Sequence, residues 1–293
     1  MVYGKRVEEA WHDLRRLLIL PLCHGDDLDK IMNRNGDKSH NSFVGGVLLC
    51  GVPGTGKSTL AYFCASFASV LTPSVKLIDV SCTSLIHKEV GGSEKALHRL
   101  FTTIRSSAPC IVVMDGIENI ASPRGNDTTT EGTMDRVLST LLTELDGVDN
   151  NVGFEGHNSP KVPVAIIGIT QTEEWIDPAL RRPGRLARSI FLSTPECDAR
   201  RRIFAKQLHN IDFKRDIEYP HLSTVELLWD AAATATDGFT GASVVAVCDL
   251  AKIHASKIFM LERSDSTSFN NTEPFMTAAL VFRAIKELQQ GKR

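Results

Sequence analysis

The segment Gly51-Val-Pro-Gly-Thr-Gly-Lys57-Ser58 follows an apolar run, Val44 to Cys50, and opens a helical pattern, Lys57 to Val70. It fits GxxxxGK[ST] at every fixed position, in the strand, turn and helix context that the motif requires. Glycines let the backbone curl so that several N–H groups converge on a phosphate, and the helix that follows adds its positive N-terminal dipole. The prediction is a nucleotide phosphate cradle made of Gly51, Val52, Pro53, Gly54, Thr55, Gly56, Lys57, Ser58 and Thr59. In it Lys57 holds the β and γ phosphates and Ser58 gives an oxygen to magnesium, so the expected ligands are ATP or ADP with Mg2+. A chance glycine turn before a helix does not account for that context.

A magnesium site of this kind needs an acid at the end of a buried strand, on the side opposite the hydroxyl. Cys110-Ile-Val-Val-Met-Asp115 supplies one. Such an Asp often merely caps the following helix. Downstream of a complete phosphate loop, Asp115 reads instead as the second metal ligand beside Ser58.

The motif sits at the start of an alternating chain. Apolar, β-branched runs at Val44 to Cys50, Val75 to Ser81, Cys110 to Asp115, Val162 to Ile169 and Ser189 to Leu192 are separated by helical patterns. Those helices are expected at Lys57 to Val70, Ser93 to Ile104 and Met134 to Leu145. Such alternation predicts an α/β fold, a parallel sheet covered by helices on both faces, because crossovers are right-handed. Ahead of it, Val7 to Leu18 spaces Val7, Ala10, Trp11, Leu14, Leu17 and Leu18 as one buried helical face. Asp26 to Ser42, Ser122 to Thr133 and Asn150 to Lys161 read as polar surface loops. After Pro195 the strand signals stop, and Asp198 to Leu208, Val225 to Ala233, Ala242 to Phe259 and Pro274 to Gln289 read as helices. The domain expectation is therefore an α/β core over 1–195 and a smaller helical domain over 196–293. The amphipathic helix that begins almost at Met1 suggests a module of a longer protein.

With these landmarks in place the chain resembles the AAA ATPase domain. The resemblance rests on the phosphate loop, Pro109 to Asp115, Arg136 to Gly147, Ile176-Asp-Pro-Ala-Leu-Arg-Arg-Pro-Gly-Arg185 and Gly238-Phe-Thr-Gly-Ala242, in that order. It covers nearly the whole chain and is most like the valosin-containing-protein and Cdc48 group, in particular second-ring domains of two-ring members. It implies a P-loop NTPase three-layer sheet domain with a helical lid, nucleotide at the seam, and a homo- or hetero-hexameric ring that threads or remodels protein. It also implies that Arg182 and Arg185 are arginine fingers directed at a neighbouring subunit's γ phosphate, a role worth about 10³–10⁵ in rate. Gly241 and Ala242 match lid residues near the adenine, where small side chains permit close approach.

Three positions depart from the pattern. The family follows its strand-end Asp with a Glu that polarises the attacking water, and Gly116 stands there. Losing a positioned base costs about 10²–10⁴ in rate. Glu118 matches another acidic position and is the candidate substitute acid, a role that requires a local backbone shift. The polar residue that senses the γ phosphate is Gln171 in place of the usual Asn. In the loop expected to face the pore, Lys88 to Glu94, Glu89 takes the place of an aromatic, and a carboxylate cannot supply an apolar grip. Together these expectations describe an ATP-binding module of a ring that remodels or unfolds protein complexes, with its own hydrolysis impaired. The alternative is a non-hydrolysing structural subunit that supports a partner ATPase ring. A small-molecule kinase on the same loop leaves the arginine phrase and the helical lid unexplained.

Composition limits the partners. The net charge of -2 gives no overall reason to expect nucleic acid, and no apolar run reaches membrane-spanning length. A protein substrate or adaptor is the expected macromolecular partner. The seven cysteines are scattered without a CxxC pair, which suggests reduced thiols in a cytosolic or nuclear protein. Cys50, Cys64, Cys82 and Cys110 lie in or beside apolar runs and read as small buried hydrophobes.

Overall fold

The computed structural model describes residues 4–24, 46–89, 91–123, 132–150, 163–214, 216–222, 224–265 and 275–291. The expected loop Asp26 to Ser42 lies outside the described residues, as do most of the loops at 122–133 and 150–161. By its internal contacts the chain divides into two compact units. One comprises Glu8–Val52 and Lys57–Leu192, the other Met1–Val7, Pro53–Gly56 and Ser193–Arg293.

The first unit is built on a five-stranded parallel sheet. Its strands are β1 (Val47–Cys50), β2 (Lys76–Ser81), β3 (Cys110–Asp115), β4 (Val164–Thr170) and β5 (Arg188–Phe191), in the spatial order β2-β3-β4-β1-β5. The three inner strands are apolar almost throughout because parallel strands covered on both faces have no solvent side. Of the edge strands, β2 exposes most of its residues and β5 half of them. α1 (Lys5–Leu14) runs through a π turn at Arg15–Ile19 and is helical to residue 24. The remaining helices of this unit are α2 (Lys57–Leu71), α3 (Gly92–Ser107) and α4 (Thr133–Asn150).

The helices meet the sheet along stripes set by their period. Leu97, Phe101 and Ile104 of α3 and Val137, Leu138, Leu141 and Leu145 of α4 form one core with Val112, Met114 and Leu48 of the strands. On α2 the buried stripe is Leu60, Ala61, Cys64, Ala65 and Ala68. Trp11 of the first helix packs its ring 4.8 Å from Phe63 and 5.1 Å from Phe67 of α2.

Topology brings the chemistry to one edge. In register, Cys50 lies beside Thr170 and Asp115 beside Ile169. The turn after β1, the acid ending β3 and the residue after β4 therefore leave the same carboxyl edge of three adjacent strands, where ligands of open α/β sheets bind.

The second unit is mostly helical: α5 (Cys197–Leu208), α6 (Val225–Ala235), α7 (Gly241–Asp265) and α8 (Ala278–Gln290). Phe204 stacks on Trp229 at 6.3 Å, and Leu228, Val244, Val247, Cys248, Val281 and Ile285 complete the core. One expectation fails here. Strand structure does not stop at Pro195, because β6 (Asp212–Phe213) pairs in parallel with β7 (Phe275–Met276). The last helix accordingly starts at Ala278 rather than Pro274, and its early amide on Ala279 is bonded by the Asp216 carboxylate at 2.8 Å. A two-residue strand is too short to show periodicity, and its partner lies far along the chain.

Candidate functional site

Glycine is needed in the phosphate loop for its backbone angles: Gly54 and Gly56 have φ of 82° and 94°, which side chains with a Cβ rarely adopt. The loop's first residue is tied to the neighbouring strand end, with Gly51 N donating to Gln171 O at 3.0 Å. Lys57, the first residue of α2, is buried and folds back over the loop. Its Nζ donates to Gly51 O at 2.6 Å and to Val52 O at 3.0 Å. Burial lowers its pKa, an effect opposed by the nearby carboxylates Asp115 and Glu118.

Ser58 and Asp115 come together across 57 residues of sequence, Ser58 Oγ donating to Asp115 Oδ2 at 3.3 Å. A hydroxyl and a carboxylate at hydrogen-bond reach are the hard oxygen donors that Mg2+ prefers. Among the described residues no cluster of three or more His, Cys, Asp or Glu side chains could hold a metal ion. The Ser58 and Asp115 oxygens fit a cation whose other positions are filled by phosphate and water, the usual state of Mg2+ in nucleotide sites.

Gly116, next to Asp115, is left-handed with φ 69° and ψ 42°. Its N donates to Ile169 O at 3.1 Å, and its carbonyl accepts from Asn119 N at 3.0 Å and Asn119 Nδ2 at 2.7 Å. Glu118 is half-buried and its Oε2 is buried without a hydrogen-bond partner. Its charge is felt at Lys57 and at Cys82. Gln171 is exposed directly after β4, and Glu89 is exposed in its loop.

The two arginines expected to act as fingers differ. Arg182 is exposed. Arg185 is held inside its own unit by a bidentate pair with Asp146, Nε and an Nη each 2.7 Å from a carboxylate oxygen, while its other Nη donates to Ala179 O at 2.7 Å. Asp146 was not among the sequence candidates; it lies one residue past the helix expected at Met134 to Leu145, with nothing local to mark its partner. Nor was the ion pair of Arg181 with Glu173.

The hydrogen bonds from Arg185 hold the Asp146 carboxyl below its ordinary range. A depressed carboxylate stabilises the fold above its unfolded pKa of about 3.9 and loses that contribution as pH falls through the lower folded value. Denaturant titrations should show a constant stability gap between the native chain and Asp146→Asn from about pH 5 to about pH 8, closing below about pH 4. A gap that changed between about pH 6 and 8 would contradict the assignment.

In the helical unit, Ala242 N donates to Gly54 O at 3.0 Å. A Cβ on Gly54 would lie 2.8 Å from Thr240 Oγ1, and one on Gly241 would lie 3.4 Å from Gly54 O. Small residues at 241 and 242 thus admit the tip of the loop. The expected hydrophobic cysteines are buried: the Cys50, Cys64 and Cys82 thiols are pushed up to about 12 and Cys110 to about 11, in each case mainly by burial. Thiols so shifted are poor nucleophiles.

A family model described as ATPase family associated with various cellular activities (AAA) matches residues 47–194. Over 210 residues the chain is 34% identical to Peroxisomal ATPase PEX1 of Homo sapiens, covering 72% of this chain and 14% of that protein. It is 36% identical over 203 residues to a Cell division cycle protein 48 homolog of Archaeoglobus fulgidus, covering 69% of this chain and 24% of the relative. It is 31% identical over 248 residues to the ATPase family gene 2 protein of Schizosaccharomyces pombe, covering 85% and 26%. The matched stretch is thus a quarter or less of the first two proteins and about a quarter of the third.

Proposed function

The chain belongs to the AAA family of ATPases, and from that premise we propose that it is an MgATP-holding domain of a ring assembly that remodels protein complexes, with its own hydrolysis slowed. Membership carries ATPase activity at the level of the family. The observation that carries the finer reading is the pairing of an intact phosphate and metal constellation, Lys57, Ser58 and Asp115, with a side-chain-free residue at 116.

Lys57 and the loop amides bind the phosphates, and Ser58 and Asp115 hold the cation. Bound Mg2+ would neutralise phosphate charge and so favour attack at the γ phosphorus. A glycine has no group to orient the water or accept its proton. Glu118 is the nearest alternative acid along the chain, and Gln171 would meet the γ phosphate. Arg182, exposed, is the residue offered to a neighbouring subunit; Arg185 must leave Asp146 before it can act across an interface. The unit from Ser193 onward serves as the lid in this reading. Among the described residues no helix is long and apolar enough to cross a membrane. Free thiols are in keeping with the cytosol or nucleus.

The test is MgATP binding and turnover on the assembled native protein. Tight binding should accompany turnover about 10²–10⁴ below that of an AAA domain with a positioned base. Fast native turnover that is abolished by Lys57→Ala would sink the slow-hydrolysis reading, and failure to bind MgATP would sink the whole. Gly116 also favours a second reading, a wholly non-hydrolysing structural subunit of a partner ring. Phosphate released from pre-bound ATP over a long single-turnover incubation separates that reading from slow hydrolysis.

A further inference from the structure

We propose that Asn119 is a positioning residue that locks the turn after β3 in a form without room for an acid at 116, so that slow hydrolysis is set by a pair of residues rather than by one glycine. The inference rests on the reading that this site holds MgATP.

Three observations carry it. First, Gly116 is left-handed, a region in which the Cβ of an L residue crowds the backbone. Second, a Cβ built on Gly116 would lie 2.8 Å from Asn119 Nδ2, closer than non-bonded carbon and nitrogen atoms sit. The carboxamide therefore stands where a side chain at 116 would begin. Third, that carboxamide is held in place, since Asn119 bonds the Gly116 carbonyl through both its side chain and its backbone N, and Gly116 N is tied to Ile169 O at the end of β4. Ile117 and Ile120, buried on either side of the turn, keep it from swinging away as a unit.

The chemical consequence follows directly. Introducing Glu at 116 strains the left-handed backbone and must also expel the Asn119 amide, and a displaced amide crowds the turn that aims the new side chain. An Asn amide cannot accept the proton of the attacking water, so it does not replace the missing base. Restoring the acid alone leaves it misplaced, whereas removing the amide as well frees the space and one of the two bonds that hold the carbonyl.

The experiment uses the full chain in its assembled form with MgATP, comparing native protein with Gly116→Glu and Gly116→Glu/Asn119→Ala. Gly116→Glu alone is expected to raise kcat by less than about threefold. The double variant should raise it at least about tenfold further with KM unchanged, part of the about 10²–10⁴ that a positioned base is worth. Equal turnover in the two variants, or no gain in the double variant, overturns the proposal. A cycle of thermal midpoints on Gly116→Ala, Asn119→Ala and their combination tests the lock without relying on turnover: the loss caused by Ala at 116 should shrink when Asn119 is absent. An identical loss in both backgrounds also overturns it. Failure of the underlying reading is seen separately, as native protein that does not bind MgATP or turns it over fast.

Discussion

Replacing Lys57 by Ala is expected to weaken MgATP binding about 10³-fold, the largest functional effect of any single substitution in this site. A hydrogen bond from a charged donor is worth about 1.5–3 kcal/mol, so contact with two phosphates is worth about 4 kcal/mol, or three decades of affinity. Lys57 is buried, its ammonium resting on the carbonyls of Gly51 and Val52. The desolvation cost and much of the side-chain entropy are therefore met during folding rather than on binding. The same substitution leaves Gly51 O and Val52 O without this donor, so the loop that aims the amides is expected to loosen as well. Titration calorimetry with MgATP on native and Lys57→Ala protein gives the result directly. A loss smaller than about tenfold would mean that the backbone amides and the helix terminus carry the phosphates nearly unaided.

The second large effect concerns stability. Arg200, in the first turn of α5, is only 4% exposed, and its guanidinium donates to Pro195 O at 2.8 Å, Ala233 O at 3.0 Å and Asp237 Oδ1 at 3.1 Å. Asp237 is almost fully exposed, so the ion pair itself contributes little. The two carbonyls matter more, because an orphaned buried acceptor costs about 1–3 kcal/mol and the arginine stem fills space that Ala leaves empty. Arg200→Ala should thus lower the unfolding free energy of the helical unit by about 3 kcal/mol. Arg200→Met, which keeps most of the volume, should recover only the packing part. Urea unfolding followed by circular dichroism measures both, and a change below about 1 kcal/mol for Arg200→Ala would show that the carbonyls find water instead.

Arg200 also marks where reading along the chain loses sight of the fold. In Arg200-Arg201-Arg202 three identical side chains stand in a row, yet the first is buried, the second half-buried and the third exposed. Nothing local distinguishes them, because burial depends on where the stretch after α6 returns. The Asp146 to Arg185 pair is hidden for the same reason: its partners lie 39 residues apart on α4 and on the turn before β5. The pair β6 and β7 joins two-residue segments on opposite sides of α7, each too short for a period-2 pattern.

Other features were legible because the physics that produces them is local. Cys110 to Asp115 reads as a buried strand and is one, residue for residue, since six consecutive positions with a single charge at the end satisfy few other structures. The edge strand at Val75 to Ser81 was located within a residue but not as an edge, because neighbour order is a property of the sheet.

The phosphate loop shows the division most clearly. The residues themselves determined the cradle: glycines where φ must be positive, a lysine at the helix start, a hydroxyl next to it, all within eight consecutive positions whose geometry is set by short-range sterics. The identity of residue 116 likewise determined that no side-chain base follows Asp115. Only the tertiary structure decided that Ser58 meets Asp115, because the order β3-β4-β1 places two distant strand ends on one edge. Only the tertiary structure, too, decided that the space beside Gly116 is filled by Asn119, since the turn's handedness and its tie to Ile169 on β4 depend on the assembled sheet.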